Sequence, residues 1–248
     1  MYRYKCILEY DGRIFHGWQY QKNVLSLQEV FETAVKKLNH RFIRVYVSGR
    51  TDAGVHALGQ VVHFDLDKLY CCSSVMNAIN YYLKPNPIAI LKCESVNQNF
   101  HARFSSKKRY YMYRIINRRA PLTFENGLAW GIYQPLDIDA MNEGAKYFIG
   151  THDFSFFRSR DCQSHSPIKT LDYIKVSRNP NQKFDIRINT YGQSFLHHQV
   201  RKIVGTLVNI GKGILRPIDI KIILEKHQND NRILTALANG LYFVKVDY

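Results

Sequence analysis

Hydrophobic and polar positions along the chain mark out its elements before any composition is considered. Tyr2 to Tyr10 reads as a strand stopped by the turn dipeptide Asp11-Gly12. Leu27, Val30, Phe31, Ala34, Val35 and Leu38 then recur at helical spacing behind a capping box of Ser26 and Glu29, which predicts a helix ending near Asn39. Arg41 to Val47 reads as a strand, and the stretch after it, which holds Gly49 and Gly54, reads as a loop. Gln60 to Leu66 reads as a further strand, with Val61, His63 and Asp65 on one face and Val62, Phe64 and Leu66 on the other. Ser73 or Ser74 is placed to cap a second helix that runs through Leu83 and is ended by Pro85 and Pro87, followed by a strand from Ile88 to Val96.

The second half is similar in kind. A strand from Lys108 to Ile116 leads through a loop rich in Arg, Pro and Gly to a helix from about Asp137 to Phe148, with Gly150 as its stop. Strands at Thr170 to Ser177 and Phe184 to Tyr191 flank the turn "RNPNQ". Within "FLHHQVRKIVGTLVNIG", Val200, Ile203, Val204, Leu207 and Val208 fall on one helical face, and a short helix at Ile218 to Lys226 and a strand at Leu241 to Val246 close the chain. Runs of strands mixed with helices in both halves predict an α+β architecture of two similar sheet-and-helix halves, 1–105 and 106–248, without a clear internal repeat.

Composition narrows the class. With 248 residues, 46% of them hydrophobic, the chain can bury a sizeable core. It shows neither a signal-peptide core at its start nor an apolar stretch of the length a membrane helix needs, so a cytoplasmic, membrane-free protein is expected. Cys6, Cys71, Cys72, Cys93 and Cys162 form no C-x-x-C pair; reduced, mostly buried thiols are expected, with no metal and no disulfide. The excess of 35 basic over 20 acidic residues gives a net charge of +15, which favours a polyanionic partner. Lys107, Lys108 and Arg109 run into Tyr110, Tyr111 and Tyr113, and Arg114, Arg118 and Arg119 follow. Cations beside stacking rings suit single-stranded or looped RNA.

Two chemical signals fail on spacing. "GTLVNIGKG", Gly205 to Gly213, has five residues rather than four between its key glycines and no Ser or Thr after Lys212, so it is not a phosphate loop. His197 and His198 are adjacent, not four apart as two metal ligands on one helical face would be. "GRTDAGVH" is the strongest local signal: Gly49 and Gly54 allow a short loop to carry Arg50 and Asp52 close to a ligand. Residues two apart in an extended loop project to one side. On local grounds the alternative is a hairpin whose aspartate caps a turn.

The stretch "SGRTDAGVHALGQVVHF" resembles the signature of the TruA-type tRNA pseudouridine synthase family, and "EYDGRIFHGWQYQ", "FHARFSS", "FLHHQVRKIVGTLV" and "GLYFVKVDY" resemble that family's other motifs in the same order. The resemblance covers nearly the whole chain. It implies the pseudouridine synthase fold, two halves flanking a basic RNA-binding cleft, and isomerisation of uridine to pseudouridine at positions 38, 39 and 40 of the tRNA anticodon stem-loop by a homodimer without a cofactor. It implies that Asp52 is the essential catalytic residue, as nucleophile or as base, and that Arg201 is its ion-pair partner. It further implies that Tyr111 stacks on the uracil, that Arg50 holds the displaced nucleotide and that Leu241 packs on the base. His56 takes a supporting or structural role, and cross-strand packing is the expected use of Tyr110 and of Tyr113. The tyrosine of Gln19 to Gln21 stands where the family resemblance leads one to expect a basic residue.

Overall fold

The computed structural model describes residues 1–226 and 230–248. The chain divides into two compact units, Met1–Lys107 with Tyr242–Tyr248, and Lys108–Leu241. The last seven residues of the expected second half, 106–248, therefore belong with the first unit. The reason is pairing: Tyr242 and Phe243 of the closing strand lie parallel to His56 and Ala57, a ladder between segments far apart in sequence that no local pattern announces.

In the first unit the strands are β1 (Tyr2–Tyr10), β2 (Tyr46–Val47), β3 (His56–Leu66) and β4 (Ile88–Ser95), and the helices are α1 (Leu27–Asn39) and α2 (Cys72–Leu83). Central β1 pairs antiparallel with both β3 and β4, and β2 pairs antiparallel with β3. Ser26 caps α1 by accepting from the Glu29 N–H at 3.3 Å, and His40 ends it in the left-handed conformation at φ 61°. Leu27, Phe31, Ala34 and Val35 of α1 and Val75, Ile79 and Leu83 of α2 are buried, as are Tyr4, Cys6, Leu8, Val62, Phe64 and Leu66 of β1 and β3. Phe31 meets Phe64 with ring centroids 6.0 Å apart. Each such large apolar side chain contributes about 1.5–3 kcal/mol on burial.

Several expected details change. Only Tyr46–Val47 of the stretch 41–47 is strand, because Glu32 of α1 accepts from the Val45 N–H at 3.1 Å and takes that group out of a ladder. Strand β3 starts at His56 rather than Gln60, since Ala57 already pairs with Tyr10. The cap of α2 is Cys71, not a serine; Ser73 and Ser74 lie within its first turn. Among the cysteines only Cys6 is buried and Cys71 is exposed, because Cys71 sits at a helix end rather than in the core.

The second unit carries β5 (Lys108–Asn117), β6 (Trp130–Ile132), β7 (Gly150–Asp153), β8 (Ile168–Asn179) and β9 (Gln182–Gly192), with α3 (Ile138–Lys146), α4 (Gln199–Gly211) and α5 (Pro217–Lys226). The closing strand, β10, is Leu241–Asp247. Strands β5, β9, β8 and β7 follow one another in antiparallel order, and β6 lies parallel to β5. Asp137 caps α3 by accepting from the Ala140 N–H at 3.0 Å, and the helix stops at Lys146, short of the expected Phe148. Met141 and Ala145 of α3 and Val200, Ile203, Val204, Leu207 and Val208 of α4 are buried. The glycines that imitate a phosphate loop lie within and just beyond α4: a Cβ on Gly205 would stand 2.0 Å from the Leu234 carbonyl oxygen, so this glycine serves close backbone packing.

Candidate active site

The "GRTDAGVH" loop joins β2 to β3, and its shape follows from its own residues and from two braces behind it. A turn from Asp52 to Val55 is closed by the Val55 N–H donating to the Asp52 carbonyl at 3.2 Å. Gly54 takes φ 77°, the left-handed conformation that favours glycine at such a turn. Gly49 does not share that conformation; its use is its carbonyl, which accepts from Gln60 Nε2 at 2.9 Å.

The first brace is polar and buried. Gln60, fully buried in β3, accepts from Ser48 Oγ at 2.6 Å through Oε1 and donates through Nε2 to Gly49 and to the Tyr10 hydroxyl at 3.3 Å. Tyr10 in turn lies 2.9 Å from Thr51 Oγ1. Burial pushes the Tyr10 pKa up to about 12, against the opposing hydrogen bonds from Thr51 and Gln60, so its phenol stays protonated and structural at neutral pH. Thr51 therefore points inward, while its neighbours Arg50 and Asp52 are exposed and half-buried respectively.

The second brace is the segment 11–18, the "DGRIFHGW" motif. The Trp18 N–H donates to the Thr51 carbonyl at 3.0 Å and the Gly54 N–H to the Phe15 carbonyl at 3.3 Å. Gly12 lies so close beneath the loop that a Cβ there would stand 2.2 Å from the Val55 carbonyl oxygen. Its N–H donates to Nδ1 of buried His56 at 3.1 Å, and the imidazole stacks on Tyr242 at 4.7 Å. His56 thus ties the end of β1, the start of β3 and β10 together. Asp11 lies 3.3 Å from the same imidazole nitrogen. Burial acts to raise the Asp11 pKa, but hydrogen bonds from Arg13 and the nearby positive charge outweigh it and hold the carboxyl below its usual range.

The other expected site residues belong to the second unit. Tyr111 on β5 is 9% exposed, opposite Thr190 of β9, with Phe195 edge-on to its ring at 5.0 Å. Arg201, in the first turn of α4, donates from Nε to the Ala236 carbonyl at 2.9 Å, and the Ala236 N–H returns a bond to the Arg201 carbonyl at 3.0 Å. Leu241 is buried at the start of β10. Arg50 and Asp52 thus share one loop of the first unit, and Tyr111, Arg201 and Leu241 are carried by the second.

The basic and aromatic run around Tyr111 divides its labour. Tyr110, Tyr191 and Tyr173 form a ladder across three strands, with ring centroids 4.9 and 5.1 Å apart, and the Lys108 ammonium lies 5.1 Å from the Tyr191 ring. Tyr113 is fully buried and donates to the Leu237 carbonyl at 2.7 Å. Arg114 pairs with buried Asp185 at 3.3 Å, and Lys108 lies 3.3 Å from Asp172. Part of a cluster that reads as an RNA contact in the sequence is thus internal structure, because its acidic partners lie far along the chain on β8 and β9.

The hydrophobic pattern does not single out the bracing residues Tyr10, Gly12, Trp18 and Gln60, and the family resemblance includes them in its motifs without giving them a role. One signal exists for Gln60: an amide in an otherwise apolar strand needs buried partners.

The family described as tRNA pseudouridine synthase matches the chain over residues 7–105 and 145–248, which include Arg50, Asp52, Arg201 and Leu241. A protein named tRNA pseudouridine synthase A from Ehrlichia chaffeensis is 53% identical over 99% of this chain and 100% of the relative. Proteins of the same name from Wolbachia pipientis wMel and Maricaulis maris are 49% and 46% identical, over 99% and 100% of this chain and 100% and 98% of the relatives. With its aspartate loop braced by two motifs inside the matched residues, the chain belongs to the tRNA pseudouridine synthase family.

Proposed function

We propose that this protein isomerises uridine to pseudouridine at positions 38, 39 and 40 of the anticodon stem-loop of tRNAs, with Asp52 as its catalytic residue. The observation that carries the reading is the Asp52 turn itself, held from behind by backbone bonds to Phe15 and Trp18 and by the Tyr10–Thr51–Gln60 network. A carboxylate that must meet one atom of a mobile RNA gains from such a fixed support, because misplacement by about 1 Å can cost about 100-fold in rate.

The reaction breaks the N-glycosidic bond, turns the uracil and joins C5 to the ribose C1′, so that N1 gains a proton and C5 loses one. Every bond is redistributed within one nucleotide, and the proposed chemistry asks for no cofactor and no metal. In this reading Asp52 acts as an ionised carboxylate, either attacking the nucleotide or removing a proton to start cleavage, and Arg201 pairs with it to favour the charged form. Arg50 holds the displaced nucleotide, whose extrusion costs a few kcal/mol and least in a loop. Tyr111 stacks on the uracil, and Leu241 packs on the base. The same reading includes a homodimer, one subunit gripping the tRNA body while the other holds the target, and a cytoplasmic location. Among the described residues no helix is long and apolar enough to cross a membrane.

Incubation of unmodified tRNA with the protein, followed by position-by-position mapping of pseudouridine, tests the proposal. Wild type should yield product at positions 38–40, and Asp52→Asn should lower the rate by more than about 1000-fold, as loss of an essential reacting group does. Product undiminished in Asp52→Asn would remove the assigned mechanism, and product confined to another region of the tRNA would remove the assigned positions.

A further inference from the structure

The "FHARFSS" motif builds a second feature in the first unit, away from the braces of the aspartate loop in sequence. The His101 N–H donates to Ser105 Oγ at 2.9 Å, and the Ser105 N–H donates to the His101 carbonyl at 2.9 Å. His101 Nδ1 accepts from the N–H groups of Arg103 and Phe104 at 3.1 and 3.3 Å, and Ser106 Oγ donates to the Arg103 carbonyl at 2.7 Å. His63 Nδ1 of β3 accepts from the Ala102 N–H at 3.1 Å and anchors the turn to the sheet. Both imidazoles act as acceptors, which requires an unprotonated Nδ1. Burial holds His63 at a pKa of about 4 and also lowers His101, which keeps both rings neutral at physiological pH.

This hydrogen-bonded turn ends in an apolar side chain left in water: Phe104 is 75% exposed. Its ring rests on His101 at 4.4 Å, the Arg103 guanidinium lies 5.5 Å from it, and His101 meets His63 at 4.6 Å. Tyr46, 47% exposed, stacks on His63 at 5.0 Å. The result is a continuous run of rings, Tyr46–His63–His101–Phe104, whose two end rings are exposed and one of which carries a cation. An exposed phenylalanine on a mobile loop needs no explanation; one fixed by a buried histidine and a closed turn does.

We infer that the 101–105 turn is a stacking site for an unpaired base of the tRNA substrate, with Phe104 under the base and Arg103 beside its phosphate. The inference rests on the proposed function for the identity of its ligand, and on the net charge of +15 for the preference for an anionic polymer over a neutral one. Aromatic stacking on a base is tolerant of sequence and accompanies cationic contacts to the backbone. The rival occupant is a second copy of this chain, for which an exposed ring would be an equally ready contact.

The test is binding of a fluorescent anticodon stem-loop RNA, with the oligomeric state measured on the same samples. Phe104→Ala should weaken binding about 10-fold, and Phe104→Trp should hold it within about 2-fold of wild type, because any large ring restores the stack. Abasic substitution, scanned one at a time across the unpaired nucleotides of that RNA, should weaken wild type at one position and leave Phe104→Ala no weaker there than before. Unchanged affinity in Phe104→Ala, a tryptophan variant as weak as the alanine one, or a loss explained by dissociation of a dimer would each overturn the inference. Its failure is distinct from failure of the proposed function: the first leaves wild-type pseudouridine formation intact, whereas the second removes product from wild type whatever Phe104 does to RNA affinity.

Discussion

At the scale of single residues, the aspartate loop depends on atoms that are missing from its neighbour as much as on groups that are present. Gly12 has no Cβ, and the Val55 carbonyl occupies the place one would take, 2.2 Å away. Gly12→Ala should therefore push residues 52–55 outward, or break the bond from its N–H to His56. Overpacking of this kind typically costs about 1–3 kcal/mol. The expected result is a chain that folds with a lowered melting temperature and forms pseudouridine at least about 10-fold more slowly at saturating tRNA, as a displaced reacting group does. A variant as active as wild type would show that the brace is not needed. The sequence makes Asp52 and Arg50 conspicuous because charged residues between glycines suggest a loop near a ligand. It leaves Gly12 as part of a turn dipeptide, since the contact that matters is with the carbonyl of Val55, far along the chain.

Among elements, β3 shows where periodicity informs and where it stops. The alternation assigns Val62, Phe64 and Leu66 to one face, and these residues are buried, with Phe64 against Phe31 of α1. It assigns His63 and Asp65 to the opposite, more polar face, yet His63 is only 1% exposed. The 100–104 segment covers it, with Ala102 donating to its Nδ1 and Phe100 and His101 packed on its ring. A strand's alternation reports polarity, not what a later loop lays across it. That burial has a pH consequence. Burial first, then the charges of His101 and Arg3, lower the His63 pKa from 6.5 to about 4, with Asp65 opposing. Between those values the unfolded chain takes up a proton that the folded chain refuses, so stability is complete above pH 6.5 and declines as pH falls toward 4. Each such proton contributes a slope of no more than about 1.4 kcal/mol per pH unit. Lowered His101 acts in the same direction, while the Asp65 carboxylate, held down chiefly by its hydrogen bond to Arg3, loses its contribution only below its ordinary value of 3.8. Urea unfolding at intervals from about pH 7.5 to about 4 should show this decline, and His63→Gln, which keeps an acceptor without a titrating ring, should flatten it. A flat wild-type profile would contradict the buried neutral imidazole.

For the molecule as a whole, the α+β class follows from mixed strands and helices in both halves, whereas the membership of the closing strand does not. Nothing in "GLYFVKVDY" says that Tyr242 and Phe243 will lie beside His56 and Ala57, or that the Tyr248 hydroxyl will donate to the Ala102 carbonyl at 2.9 Å. Net charge is a different kind of property, because it survives ignorance of topology. Acidic residues already hold Arg3, Lys5, Arg13, Arg114 and Arg187 in ion pairs, and +15 is what is left after every acid has been counted against a base. That excess attracts RNA through release of its counterions, each neutralised phosphate adding about 0.7–0.9 to the slope of log affinity against log salt. If about five phosphates are contacted, the slope is about −4, and raising salt from about 50 to about 200 mM should weaken tRNA binding about 250-fold. Replacing Arg50 should lower the slope by about one if its charge meets a phosphate, and leave the slope unchanged if it meets only the base. Titrations of tRNA across a series of salt concentrations with wild type and Arg50→Gln separate the two, and a wild-type affinity insensitive to salt would deny the excess charge any part in holding the substrate.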